Sequence, residues 1–77
     1  MRVKANETLD LKGLKCPLPA LLAKRALKHA AQGSILEVVS DDPLAGIDVP
    51  HMCRSENFEV LRQIRDGNVV RLWLRRP

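Results

Sequence analysis

The sequence predicts an α/β (α+β) two-layer sandwich of order β-α-β-α-β-β, with a four-stranded mixed sheet and two helices on one face. Three observations carry this reading. A short alternating segment, a long amphipathic segment and a β-branched segment follow one another within about thirty residues, as in a parallel βαβ unit. A second, weaker helical segment comes next. Two further alternating segments then flank Asp66-Gly67-Asn68, and Asp-Gly is a strong hairpin signal. With 77 residues there is length for one domain, residues 1–77, and no more.

Thr8-Leu9-Asp10-Leu11 alternates polar and apolar, which suits a short strand with one buried face. Gly13 breaks it. From Pro17 to Gln32 the pattern is helical: Ala20, Ala23, Leu27, Ala30 and Ala31 share one face, and Lys24, Arg25, Lys28, His29 and Gln32 share another. Gly33 is the natural stop. Ile35-Leu36-Glu37-Val38-Val39 reads as a buried strand. In Ser40-Asp41-Asp42-Pro43, Asp42 reads as a helix cap and Pro43 as the first helical residue. The helix that follows, Leu44 to Arg54, is expected to be short or distorted, because Gly46, Asp48 and Pro50 lower its propensity. In the first arm of the hairpin Phe58, Val60 and Ile64 alternate with Glu59, Gln63 and Arg65. In the second, Val69 to Leu74, the uniformly apolar face Val70, Leu72 and Leu74 is assigned to the helices. The mixed face Val69, Arg71, Trp73 and Arg75 then points to solvent.

Composition narrows the function. A hydrophobic fraction of 45% and a charged fraction of 29% are ordinary for a soluble globular domain. Phe58 and Trp73 are the only aromatics, which argues against the usual base-stacking surface. The apolar runs are too short to span a bilayer, and Met1 to Asn6 shows no signal core, so the expected setting is cytoplasmic, with no membrane partner. There the two cysteines are expected to be free thiols. A net charge of +4 gives a mild attraction to acidic partners, protein or RNA.

Cys16 stands where a strand gives way to a helix. Pro17 reads as the first helical residue and Cys16 as the cap before it. A sulfur there faces unpaired backbone N–H groups and the positive end of the helix dipole, both of which favour thiolate, the nucleophilic form. Lys15 adds a cation next door. The competing reading is a small apolar side chain filling a gap.

The chain resembles the TusA/SirA-like sulfur-carrier (sulfurtransferase) family from Leu9 to Leu74. Leu9-Asp10-Leu11-Lys12-Gly13-Leu14-Lys15-Cys16-Pro17-Leu18-Pro19 is similar to the family's strand and Cys-Pro-x-Pro signature. Gly33, Leu36-Glu37-Val38 and Asp41-Asp42-Pro43 form a second matching block. Asp48-Val49-Pro50-His51-Met52-Cys53 is similar to the family's Asp-[Ile/Val]-Pro-x-x-Cys run. The chain departs from the pattern at Leu18, where several family members carry an acidic residue. The resemblance implies that Cys16 accepts sulfane sulfur as a persulfide and relays it to an acceptor protein or biosynthetic pathway. The implied donor is a cysteine desulfurase or rhodanese-like protein. Thiolated tRNA, molybdenum-cofactor enzymes and oxidative sulfur metabolism all stand open as destinations. Pro17 and Pro19 would stiffen the loop that presents the sulfur. Gly13, Lys15, Asp42 and Asp48 complete the supporting motif, Asp42 as a cap and Asp48 as a hydrogen-bond partner near the Cys16 loop, a contact for a docking protein, or surface filler. Transfer between two cysteines needs only in-line approach of one sulfur to another, so no cofactor is expected.

Other residues have two readings. Cys53 is a second thiol for relay or resolution, or else core packing, which is favoured. His51 and Cys53 are two apart and do not face each other on a helix, and no second close pair exists, so no metal site is expected. Lys24, Arg25 and Lys28 form a docking stripe for an acidic protein or a solvated face. Arg71, Trp73 and Arg75, with Arg76, suggest a protein or RNA interface, or else a Trp ring covered by Arg stems. They carry the alternative function, a non-catalytic regulatory or RNA/protein-binding module using the basic Trp73 sheet face.

Overall fold

The computed structural model describes residues 5–77. The expectations for Met1 to Lys4, as part of the domain and as lacking a signal core, fall outside the described residues. Strand β1 spans Glu7–Asp10, helix α1 Leu18–His29, strand β2 Ile35–Ser40, helix α2 Ala45–Glu56, strand β3 Glu59–Asp66 and strand β4 Val69–Arg75. The four strands form one sheet in the order β1-β2-β4-β3. β1 runs parallel to β2, with Leu9 opposite Val38; β4 is antiparallel to both its neighbours. This is the mixed two-layer architecture the sequence predicts.

Burial follows the strand alternation. Val70, Leu72 and Leu74 of β4 are buried, as are Leu36 and Val38 of β2. They meet Ala23 and Leu27 of α1 and Ala45, Val49, Met52 and Cys53 of α2 in one cluster. Each fully buried Leu or Val contributes about 1.5–3 kcal/mol relative to exposure. No helix of the described residues is long and apolar enough to cross a membrane.

Several boundaries differ from the sequence reading. α1 ends at His29, short of Gly33, although Ala30, Ala31 and Gln32 are good helix formers. The cause is tertiary: the Arg76 guanidinium donates to the carbonyls of Lys28 (2.9 Å) and Ala30 (2.7 Å), taking up acceptors at the helix end. At the other end, Leu18 is the first helical residue and Pro17 the cap, one position later than expected, and Pro19 sits buried in the first turn. α2 is a full 12 residues. Asn57 ends it in the left-handed conformation (φ 62°), and the Phe58 N–H bonds the Cys53 carbonyl at 2.8 Å. Phe58 thus lies ahead of β3, packed against the core, rather than within the strand. The register of β3 against β4 shifts between Val60 and Arg62, so the expected alternation breaks at Leu61.

Pro50 lies inside α2 and has no N–H to give the carbonyl four residues back, that of Gly46. Gln63 of β3 replaces the missing donor, its Nε2 lying 3.1 Å from the Gly46 oxygen. A Cβ on residue 46 would lie 2.9 Å from that same nitrogen, so the absence of a side chain lets the amide in.

Candidate functional site

β1 and β2 are parallel, so the loops leaving their C-terminal ends emerge side by side. Leu11 extends the pairing by one bond, its N–H 2.7 Å from the Val39 carbonyl. The 11–17 loop therefore lies against the 41–44 loop, and aspartates of the second tie down backbone N–H groups of the first. Asp41 Oδ1 accepts from the Gly13 N–H at 2.9 Å, and Asp42 Oδ2 accepts from the Cys16 N–H at 3.2 Å. Gly13 turns the chain at φ 88°, a conformation a side chain disfavours. Asp42 is itself anchored by its N–H, 3.1 Å from the Oγ of buried Ser40. The expected helix cap at Asp42 is thus a correction: Leu44 is the residue before α2, no side chain caps the helix, and the Asp42 carboxylate holds Cys16 instead.

The Cys16 side chain is exposed, and its Sγ–H points at Asp48 of α2, with Sγ 2.6 Å from Oδ2. This reverses the expectation that the helix start and Lys15 stabilise a thiolate. The Asp48 hydrogen bond, then partial desolvation, then the negative charges of Asp48 and Asp42 all push the Cys16 thiol up from its ordinary range. Around the sulfur an open groove runs between the helices, lined by Pro17, Ala20 and Leu21 on one side and by His51, Met52 and Ser55 on the other. Leu21 on its wall is exposed, as are Leu18, which follows Pro17 in the chain, Ile47, which precedes Asp48, and Leu44.

The structure separates the remaining candidates. Cys53 is fully buried in the core, and burial pushes its thiol up to about 11. His51 is exposed on the groove wall, and among the described residues no group of three or more His, Cys, Asp or Glu could hold a metal ion. Lys24 and Lys28 do not form a free basic stripe: both pair with Glu56 of α2, at 3.3 and 3.1 Å, and only Arg25 of the three stays outside that bridge. Sequence reading missed Glu56, whose i, i+4 partners lie on another helix. On the open sheet face Arg71 pairs with Glu37 and Arg75 with Glu59. The cation over half-buried Trp73 comes from Arg62 on β3, opposite it in the register, with its guanidinium carbon 5.9 Å from the ring centroid. Arg76 turns away to the end of α1.

The ammonium groups of Lys28 and Lys24 hold the Glu56 carboxyl below its ordinary range. A depressed carboxyl contributes stability above its unfolded value and loses it as pH falls through the folded one. The Tm difference between wild type and Glu56→Gln is therefore expected to be small at neutral pH, to shrink in high salt, and to begin to fall away only once the pH drops below the ordinary glutamate value of about 4.3. Melts at several pH values check this; a difference that grows on acidification contradicts it.

Comparison with known proteins places the chain among sulfur-handling proteins. Residues 7–76 match the family of the sulfurtransferase TusA. YrkI from Bacillus subtilis (strain 168), a candidate sulfur carrier protein by its name, is 32% identical over 74 residues, covering 96% of this chain and 99% of its own. The crystal structure of a SirA-like protein from Desulfitobacterium hafniense shares the fold, with a TM-score of 0.77, 22% identity, and coverage of 90% of this chain and 95% of that one. Family and relative both support a sulfur-carrier role, which implies exchange with sulfur donors and acceptors in general. The match runs from the first residue of β1 to the residue after β4, leaving no part of the sheet or its helices outside it, and this chain belongs to the TusA sulfurtransferase family.

Proposed function

We propose that the chain carries sulfane sulfur as a persulfide on Cys16, taken from a donor protein and passed to an acceptor. The observation that carries the reading is the contrast between its two thiols. Cys16 is exposed at the head of an open groove, and Cys53 is shut in the core. Sulfur exchange is a displacement at sulfur along the S–S axis, so the incoming persulfide needs a clear line to the attacking atom. Gly13, Asp41 and Asp42 fix the loop that presents this sulfur. Exposed Leu21 on the groove wall, with exposed Leu18 and Ile47 adjoining Pro17 and Asp48 in the chain, suits an apolar rim on a partner protein, aromatic or aliphatic, closing over the transfer. The Trp73 face supports a partner surface less well, because Arg71 and Arg75 are already ion-paired.

The test is intact mass after incubation with glutathione persulfide. The wild type is expected to gain one sulfur atom, released by reductant, with peptide mass mapping placing it on Cys16. No gain, or a gain mapped only to Cys53 after unfolding, contradicts the proposal.

A further inference from the structure

We infer that Asp48 keeps the empty carrier in its unreactive thiol form and repels the loaded, anionic one, so that one carboxylate both silences Cys16 between transfers and drives the cargo outward. This rests on the carrier reading and adds a control residue to it. The starting point is the contact itself: Oδ2 of Asp48 lies 2.6 Å from Sγ. An ionised carboxylate has lone pairs and no hydrogen, so it can accept from S–H and offers a thiolate nothing but repulsion. Asp48 sits in the first turn of α2, held by the backbone of a helix whose inner face, Ala45, Val49 and Cys53, is fully buried. The contact is thus built into the packing of α2 on the sheet.

Of the other groups facing the sulfur, one carboxylate works the same way. Asp42, from the loop after β2, adds a second negative charge while its oxygen is engaged with the Cys16 N–H. His51 and Lys24 line the groove from α2 and α1, and Lys24 is bound to Glu56. Lys15, the neighbour in sequence, is exposed and does not outweigh the aspartates.

Loading changes the sign of the contact. Sγ attacks the terminal sulfur of the donor persulfide; a new S–S bond forms on Cys16 as the donor's S–S bond breaks. The donor cysteine leaves with the electron pair, and the proton given up by Sγ ends on that leaving thiolate. Nothing is oxidised or reduced overall. The carrier now bears a terminal sulfur that is anionic at neutral pH and an inner sulfur with no hydrogen. Asp48 has lost its donor and faces a like charge, which disfavours the loaded state relative to the empty one. A basic group on an acceptor, paired with Asp48, would cancel both effects while the acceptor is docked.

The experiment compares wild type, Asp48→Asn and Asp48→Glu, with far-UV circular dichroism as the check on folding. Alkylation of Cys16 by iodoacetamide at pH 7.5, read by peptide mass, is expected to run about fivefold faster in Asp48→Asn, because an amide can donate to the thiolate. The persulfide fraction at equilibrium with glutathione persulfide and glutathione is expected to rise about threefold in the same variant. Asp48→Glu keeps the charge and should stay near wild type in both. Equal or slower alkylation in folded Asp48→Asn, or an unchanged loaded fraction, overturns the inference. The wild type gives an independent reading: Cys16 must titrate above a free cysteine, about pH 8.5, and a midpoint at or below that value also overturns it. Normal sulfur uptake with an unshifted Asp48→Asn profile removes this inference alone. A shifted profile without any uptake removes the carrier reading and leaves the thiol control standing.

Discussion

Cys16→Ser is expected to abolish sulfur uptake at every pH, whereas Cys53→Ser is expected to keep it and to lose stability instead. The asymmetry follows from the surroundings of the two sulfurs. Cys16 is exposed, and the loop that carries it is held by Asp41 and Asp42. A serine there keeps the backbone bonds, so the fold is retained while the exposed thiol is gone. Cys53 sits fully buried among apolar side chains, with its thiol pushed up to about 11 by burial. It is neither ionised nor reachable in the folded domain. Replacing it by serine puts a hydroxyl in that core, at a cost of about 1–3 kcal/mol. Intact mass after glutathione persulfide reads the first half, and urea unfolding reads the second. Uptake by Cys16→Ser at native pH would mean that Cys53 opens to solvent often enough to act, and would overturn the division of roles.

Leu72→Ala should cost about 2–5 kcal/mol, a large share of what so small a domain possesses. Leu72 is 0% exposed, lies on the inner face of the central strand β4, and is paired across to Val38 on one side and Gln63 on the other. Its side chain belongs to the single apolar cluster shared by both helices and the sheet. Strands are too rigidly paired on both sides to close the space, so the cavity persists and adds its own penalty to the lost transfer energy. Urea denaturation of the variant, with its midpoint compared with wild type, measures this. A loss below about 1 kcal/mol would mean that α1 and α2 can sink onto the sheet, contrary to the close packing described.

The inner face of β4 and the placement of Cys16 were legible because both rest on local pattern: alternation in Val70, Leu72 and Leu74, and a Cys-Pro pair at a strand-to-helix junction. What the sequence concealed was set by residues distant along the chain. Ala30 to Gln32 have helical propensity, and Arg76 overrides it from 46 positions along the chain. Asp42 has the right residue type for a cap, yet its carboxylate is drawn to a loop 26 residues earlier by the parallel pairing of β1 and β2. The sign of the effect on the Cys16 thiol was misread for the same reason. Helix-start electrostatics are local and visible, while the Asp48 carboxylate arrives from 32 positions away. Lys24 and Lys28 looked like a basic stripe because Glu56, which binds both, belongs to another helix.

The Gln63 bond to the Gly46 carbonyl makes the edge strand a tuning screw for the thiol. Gly46 precedes Asp48 by two residues, and its carbonyl is fixed by a side chain of the hairpin rather than by the helix's own ladder. Shortening or reversing the amide at position 63 would let the first turn of α2 unwind or tilt, and Asp48 would move with it. Anyone wishing to make this cysteine faster or slower without altering a single group that touches it would begin on the hairpin, at Gln63.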